Sequence, residues 1–280
     1  MRFGITSPVL QTVPGVSDLR GDEVGGVDDL RHLLSSVERL GYDHATFPEH
    51  VAVPANETNR IGGVWWGQLP ALGFAACMTT RIRLVSYVTV LGYHHPVEIV
   101  KSFGTVDVLS GGRLVLGVGV GSLKPEFDLL GAEFEARGEY ADRSLETIRR
   151  LWGRPTALEG YIVQPCGSST HVPVWVGGRS RRSFERAVKY GDGWTPFGLT
   201  LEELSAYLGS VELPDDFEVV MGTMPALDPL NDPGATEAAI TRYEAAGVTG
   251  LAMRFVHQNL SHYHEQLEAF ADLVGLTARV

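Results

Sequence analysis

Residues 96–121, which read PVEIVKSFGTVDVLSGGRLVLGVGVG, contain one complete transition from a helix to a strand. Pro96 stands where the first turn of a helix tolerates proline, and the apolar spacing after it predicts a helix over 97–109. Gly111 and Gly112 end that helix, because glycine accepts the left-handed conformation common at a helix C-terminus. The next run, 114–118, contains only apolar residues and glycine. It predicts a strand buried on both faces, which is typical of a parallel sheet with helical crossovers.

The same alternation of apolar strands and helices continues along the chain. Strands are predicted at 3–7, 45–48, 82–91, 114–118, 172–176, 194–197, 217–224 and 250–255. Helices are predicted at 27–40, 68–78, 97–109, 140–152, 181–190, 201–208, 236–246 and 261–274. This order predicts an α/β fold of the (β/α)8 TIM-barrel type, formed as a single domain over 1–280.

The barrel prediction has one alternative and one irregular region. An open doubly wound sheet is the alternative, but the first strand-to-helix turn lacks the Gly-x-Gly-x-x-Gly pattern of dinucleotide-binding folds. The irregular region is 122–171, which is too long for an ordinary barrel loop. We therefore expect an insertion after the fourth strand, on the rim of the active site. It should contain the helix 140–152 and a hairpin around 161–174.

The composition of the chain disfavours several classes of protein. Its net charge of −11 opposes binding to nucleic acid, which requires clustered lysine and arginine. No stretch approaches the roughly 20 apolar residues of a membrane helix, and no apolar leader precedes the first strand. Cys77 and Cys166 are the only cysteines, so neither a disulfide framework nor a thiolate metal site is expected. We expect a cytoplasmic protein without a metal centre.

Glycine-rich segments follow several predicted strands, at the end of the barrel where such enzymes carry their chemistry. The fifth strand is followed by Gly177-Gly178-Arg179-Ser180, whose glycines let the backbone approach a ligand and whose serine can cap the next helix. Arg179, Arg181 and Arg182 crowd the start of that helix, where each positive charge opposes the helix dipole by a few tenths to about 1 kcal/mol. A bound phosphate removes this conflict, so we predict an anion site. A solvated basic patch is the alternative.

His50 is the candidate catalytic residue. It follows the short second strand, and histidine is suited to proton transfer at neutral pH. Trp65 and Trp66 in the following loop can cover it. Glu49 precedes it, but successive residues of a strand point to opposite faces, so the two side chains need not touch. A purely structural role for His50 is the alternative.

Three segments and one turn carry a resemblance to a known family. The segments are Tyr93-His94-His95-Pro96-Val97, the stretch 109–121 quoted above, and Val172-Pro173-Val174-Trp175-Val176-Gly177-Gly178; the turn is Gly191-Asp192-Gly193-Trp194. Together they resemble the bacterial luciferase-like superfamily, in its branch that uses coenzyme F420, a deazaflavin. The resemblance extends over about 3–196.

The resemblance implies roles for several residues. His50 would lie near the reactive ring carbon and serve in proton transfer, with Glu49 where the family often has Asp. A non-proline cis peptide is implied at Ser86-Tyr87, as a bulge behind the ring. The cofactor's side chain and phosphate would contact Gly119-Val120-Gly121-Ser122 and the segment 177–180. The sugar-phosphate dehydrogenase of this branch has an acid in place of Ser122 and Trp in place of Pro54, so its reaction is not transferred. His50 is then the only well-placed titratable group that we predict.

Three functions are compatible with these residues. The first is hydride transfer between coenzyme F420 and an unidentified small organic substrate, with His50 exchanging a proton. The second is an FMN-dependent monooxygenase, to which a separate reductase supplies reduced flavin. The third is a barrel without redox chemistry that binds a phosphorylated metabolite at the segment 177–180. Since relatives of this kind are often dimers, a homodimer is expected.

Overall fold

The computed structural model describes residues 1–12, 14 and 25–277. Within these residues the strands are β1 (Arg2–Thr6), β2 (His44–Phe47), β3 (Arg83–Ser86), β4 (Thr89–Val90), β5 (Leu114–Gly119), β6 (Val174–Gly177), β7 (Gly193–Thr195), β8 (Glu218–Gly222) and β9 (Gly250–Met253). The α-helices are α1 (Val27–Leu40), α2 (Thr58–Ile61), α3 (Gln68–Met78), α4 (Pro96–Ser110), α5 (Lys124–Leu130), α6 (Arg137–Leu151), α7 (Arg181–Tyr190), α8 (Leu201–Leu208), α9 (Pro233–Ala245) and α10 (Leu260–Val274).

These strands form a closed parallel barrel. The order is β3-β2-β1-β9-β8-β7-β6-β5-β4, and the ring is completed where β3 also pairs with β5, with Leu84 opposite Leu114. β4 then continues beside β5, with Thr89 opposite Val118. β3 and β4 therefore share one position in the ring. The predicted TIM barrel is confirmed, with the predicted strand 82–91 divided into two pieces.

The division of that strand corrects one expectation. The cis peptide bond lies between Tyr87 and Val88, one residue later than the expected Ser86-Tyr87. The ladder to β2 continues as far as Tyr87, whose N–H donates to Phe47 O at 2.7 Å. Ser86 is buried, and its Oγ donates to Gly117 O at 2.9 Å. Because neighbouring strands still hold Ser86 and Tyr87, the strand is interrupted only after them.

Local signals at the helix ends were predicted correctly. α4 begins at Pro96, and Gly111 ends it with a φ of 69°. Ser180 caps α7, since its Oγ accepts from Ser183 N at 3.2 Å. The short helices α2 and α5 were not predicted, because four and seven residues are too few to establish a helical period. Among the described helices, none combines the length and the apolarity that crossing a bilayer requires.

The region 122–171 lies only partly on the active-site rim. α5 follows the C-terminal end of β5, but α6 leads the chain back to the opposite end of the barrel. The segment 152–173 therefore lies near the end of α4, where Ser168 N donates to Asp107 Oδ2 at 2.7 Å. All of this segment is described, and it forms no hairpin, so that prediction was wrong. Its backbone bonds locally, as from Gly153 N to Cys166 O at 2.8 Å, and its prolines lack the N–H that a strand ladder needs.

The barrel interior separates apolar from charged side chains. One side chain from each of four strands forms a small buried cluster: Val85, Val115, Trp175 and Val220. At the N-terminal ends of the strands, Arg83 donates to Asp43 Oδ2 at 2.6 Å and to Glu218 Oε1 at 2.8 Å. This charged cluster is internally paired. Its charges are therefore satisfied within the protein and are not available to a ligand.

Candidate functional site

Two side chains from distant parts of the chain meet at the C-terminal ends of β2 and β5. His50 follows β2, and its Nδ1 lies 2.9 Å from Oε2 of Glu126 in α5. Glu126 is buried, whereas the His50 side chain is 23% exposed. The ring of Trp65 stands edge-on to the imidazole, with 4.5 Å between the ring centroids. The structure thus places His50 at the barrel mouth with one side covered.

The Glu126 carboxylate is held by four hydrogen bonds. Besides the contact with His50, Oε2 accepts from Tyr93 Oη at 2.9 Å. Oε1 accepts from Ala52 N at 3.0 Å and also from Val51 N. Burial raises the pKa of Glu126, but these hydrogen bonds, that from His50 foremost, outweigh burial and bring the pKa below its usual value. The carboxylate is therefore ionised at neutral pH, and a neutral His50 carries its proton on Nδ1.

This pairing leaves the other ring nitrogen of His50 for chemistry. Among the described residues, Nε2 has no hydrogen-bond partner. It can accept a proton from a reacting group and return it, while Glu126 stabilises the positive charge on the ring. The expectation that His50 was the only well-placed titratable group is therefore wrong. Glu126 stands 76 residues away in the chain, and no linear pattern connects the two.

The carboxylate of Glu49 binds residues other than His50. Its Oε2 accepts from Val90 N at 2.6 Å, and its Oε1 lies 2.8 Å from His94 Nε2. Burial lowers the pKa of His94, but Glu49 and then Glu98 outweigh burial, so the net pKa is raised. Both oxygens of Glu49 are thus engaged within the protein. Its direct contact with a cofactor stays a prediction.

The ends of β5 and β6 converge on Val88, a residue that the sequence analysis did not single out. A methyl group added at Gly119 would lie 2.7 Å from Val88 Cγ2, and one at Gly177 would lie 3.1 Å from Val88 Cγ1. Gly121 and Gly178 have φ angles of 77° and 135°, which side chains rarely allow. At these four glycines the backbone itself, without a side chain over it, forms the surface of the barrel mouth. Such a surface fits the close approach of a planar ligand and its phosphate chain.

The predicted anion site lies beside this glycine-lined surface. Arg181 pairs with Glu185 Oε1 at 3.0 Å, so one of the three arginines at the start of α7 has an acidic partner. The exposed Arg179 lies over the ring of Phe197, 5.9 Å from its centroid. It thus extends from the end of β6 towards the loop after β7. Binding of an anion by Arg179 stays a prediction.

A cavity of about 740 Å³ opens over the C-terminal ends of β7, β8 and β9. Its lining includes Phe197 after β7, Gly222 at the end of β8, and Arg254 after β9. Tyr87 also lines it, with its hydroxyl accepting from Thr195 Oγ1 at 2.7 Å. The volume is in the range of small-molecule sites. Tyr87 therefore connects this cavity with the glycine-lined surface around Val88.

Comparisons with known proteins agree with this architecture. The sequence profile described as luciferase-like monooxygenase matches residues 1–273. An uncharacterized protein of Mycobacterium tuberculosis is 33% identical over 196 residues, which cover 60% of this chain and 70% of that protein. 4-Hydroxyprotoasukamycin monooxygenase of Streptomyces nodosus subsp. asukaensis is 37% identical over 123 residues, or 42% of this chain and 30% of that protein. An F420-dependent secondary alcohol dehydrogenase, solved with an F420–acetone adduct, has a TM-score of 0.72 at 14% identity and covers 100% of this chain and 99% of its own.

Proposed function

Since this chain belongs to the luciferase-like monooxygenase family, we propose that it is an oxidoreductase that transfers a hydride between coenzyme F420 and a small organic substrate. The observation that carries the proposal is the His50–Glu126 pair. It holds one ring nitrogen 2.9 Å from a buried carboxylate and leaves the other for proton exchange at the barrel mouth. The F420 dependence of an alcohol dehydrogenase with the same fold supports this choice of cofactor.

The glycine-lined strand ends fit the cofactor. When bound, the deazaflavin supplies the ring carbon that carries the hydride. Gly119-Val120-Gly121-Ser122 and Gly177-Gly178-Arg179-Ser180 would hold its side chain and phosphate, with the guanidinium of Arg179 as the partner of the negative charge. Tyr87 and Val88 would lie behind the ring. Because no side chain projects from these glycines, the main chain can approach the ligand closely.

The protein's own residues would position the substrate and transfer a proton. A carbonyl substrate that gains a hydride must also gain a proton, and an alcohol that loses a hydride must lose one. His50 Nε2 would donate or accept that proton. Glu126 would keep the imidazole in the required tautomer and stabilise its protonated form. Trp65 would cover the imidazole on one side and limit the access of water.

An FMN-dependent monooxygenase is the second candidate, favoured by the local similarity to a Streptomyces monooxygenase. It would use the same phosphate site and receive reduced flavin from a separate reductase. A barrel without redox chemistry that binds only a phosphorylated metabolite has less support. The family profile matches nearly the whole chain, and members of this family are oxidoreductases or monooxygenases.

An anaerobic titration of the purified protein with F420 and with FMN, followed by fluorescence, separates these candidates. Binding of F420 in preference to FMN supports the proposal. Tight binding of FMN without binding of F420 would reject it in favour of the monooxygenase, and binding of neither would favour the metabolite-binding barrel. His50→Ala should leave the affinity for F420 nearly unchanged and slow hydride transfer between F420 and any alcohol or carbonyl probe that the wild type turns over.

A matched pair of variants tests the phosphate site. Arg179→Ala should weaken binding of F420 by about tenfold or more, as expected for the loss of a hydrogen bond to a charged group. Arg182→Ala removes an exposed arginine from the same helix start and should have little effect. Equal losses in both variants would indicate general electrostatic attraction instead of a specific contact.

A further inference from the structure

The cavity over β7, β8 and β9 contains a charged group that the proposed function does not use. Arg254 follows β9 and lines the cavity. Its N–H donates to Thr223 Oγ1 at 2.9 Å, and its carbonyl oxygen accepts from Leu227 N at 2.8 Å. These bonds fix the main chain on both sides of the residue. The position from which the guanidinium extends is therefore well defined.

The Arg254 guanidinium lacks an acidic partner in the described part of the chain. Its Nε is shielded from solvent and makes no hydrogen bond there. An unpaired buried donor costs about 1–3 kcal/mol, and more when it is charged. Arg83, at the other end of the barrel, shows the usual solution, since it pairs with both Asp43 and Glu218. Nη1 and Nη2 of Arg254 also make no hydrogen bond in the described structure, and they are not enclosed by protein, so a ligand in the cavity can supply the acceptor that these two nitrogens lack.

The glycine at the end of β8 keeps this guanidinium accessible. A methyl group added at Gly222 would lie 3.9 Å from both Cζ and Nη2 of Arg254. Any larger side chain at this position could cover the charged group. With glycine, the guanidinium remains part of the cavity wall.

We propose that Arg254 binds the carboxylate of an organic acid whose apolar body fills the cavity. The two terminal nitrogens of a guanidinium, Nη1 and Nη2, present two parallel donors, which match the two oxygens of a carboxylate. The remaining wall is largely apolar. Its large apolar side chains include Phe197, Leu199, Leu201, Met221, Met224 and Leu227.

The charges around the cavity favour a ligand with a single negative charge. Besides Arg254, the lining contains Arg242 and the acidic residues Glu202, Asp228 and Asp232. A doubly charged phosphate would be repelled by these three carboxylates with only two arginines to offset them. A monocarboxylate requires only Arg254. This comparison distinguishes the cavity from the predicted phosphate site at Arg179.

Tyr87 brings the cavity into contact with the proposed cofactor site. Burial raises the pKa of Tyr87, and the hydrogen bond from Thr195 and the positive charge of Arg254 partly offset that effect. The guanidinium is thus within electrostatic reach of the residue next to Val88. The inference rests on the proposed function in one respect, namely that the bound acid is the substrate. Binding of the acid does not depend on it.

Titration calorimetry of the full chain with octanoate and with octanamide tests the proposal, because the two probes share an apolar body and differ in charge. We expect the wild type to bind octanoate at least about tenfold more tightly than octanamide. In Arg254→Met this preference should fall below about twofold. The melting temperature should stay the same or rise, since the substitution removes no hydrogen bond of the described structure and removes a buried unpaired donor. Arg143→Met, which removes an exposed arginine of α6, is the control and should keep the preference.

A second variant retains the charge and blocks access to it. Gly222→Val places a side chain against the guanidinium and should also abolish the preference for octanoate. Equal binding of the two probes by the wild type, or an undiminished preference in Arg254→Met, would overturn the proposal.

Titration of F420 into the same samples separates the two proposals. If F420 binds and octanoate is not preferred, the acid site is rejected and the proposed function remains. If octanoate is preferred and F420 does not bind, the acid site remains and the proposed function is rejected.

Discussion

Replacing Glu126 by glutamine should reverse the tautomer of His50. The carboxylate offers two acceptor oxygens to four donors, whereas the amide offers one oxygen and one NH2 group. The N–H groups of Val51 and Ala52 cannot become acceptors, so the amide oxygen should remain with them. The NH2 group then faces His50 Nδ1 and Tyr93 Oη, both of which can accept a hydrogen bond. His50 would accordingly carry its proton on Nε2.

This rearrangement should affect the rate much more than the stability. Each buried donor left unpaired would cost about 1–3 kcal/mol, but the reversed tautomer keeps the amide and His50 Nδ1 paired, and only the hydroxyl hydrogen of the partly exposed Tyr93 loses its acceptor. We therefore expect a change of only a few degrees in melting temperature, roughly what 1 kcal/mol produces in a protein of this size. The rate should fall by about 10²–10⁴, the usual contribution of general acid–base catalysis, because Nε2 can no longer accept a proton. In the serine-protease triad, the corresponding change of Asp to Asn lowers kcat by about 10⁴ for the same reason.

Two measurements on Glu126→Gln check this reasoning. The rate of F420 reduction or reoxidation, measured with an alcohol or carbonyl probe that the wild type turns over, gives kcat, and nitrogen NMR of labelled histidine identifies the protonated ring nitrogen. The affinity for F420 should stay the same. Glu133→Gln removes an exposed carboxylate from the loop between α5 and α6 and serves as the control. A kcat close to that of the wild type, or a proton still on Nδ1, would refute the assignment of Glu126 as the positioning residue.

Two further predictions concern stability. A methyl group at Gly4 would lie 2.2 Å from the ring of His44, so Gly4→Ala should lower the free energy of unfolding by about 1–3 kcal/mol in urea titrations. Gly73 lies inside a helix, and a methyl group added there would have no atom within 4 Å, so Gly73→Ala should raise the free energy of unfolding by about 0.5–1 kcal/mol. Equal changes in the two variants would contradict the packing argument. Burial lowers the pKa of His94, but Glu49 outweighs burial and raises it; the resulting stabilisation is complete below about pH 6.5 and is lost as the pH rises through the raised pKa. The difference in melting temperature between the wild type and His94→Gln should therefore shrink as the pH rises above about 6.5. It should depend less on pH when Glu49→Gln is also present.

Several site features could be predicted because their signals are local. Pro96 and Gly111 mark the ends of α4 through the conformations that proline and glycine allow. The cap formed by Ser180 needs only a hydroxyl three residues before a backbone N–H. His50 could be located near the barrel mouth because it follows a strand. The hairpin expected around 161–174 failed, since the prolines of that segment remove the N–H groups that pairing requires.

The order of strands and helices, and hence the barrel, was determined by the sequence alone, because hydrophobic periodicity and helix-end residues act over a few positions. Only the tertiary structure decided which distant groups meet at the mouth. Closure of the ring brings the residues after β2 next to the helix after β5, and so joins His50 to a carboxylate 76 residues away. The same closure places the glycines at the ends of β5 and β6 against Val88, and it leaves Arg254 in the wall of a cavity. Contacts of this kind depend on the path of the whole chain through the barrel. A pattern of a few neighbouring residues therefore cannot predict them.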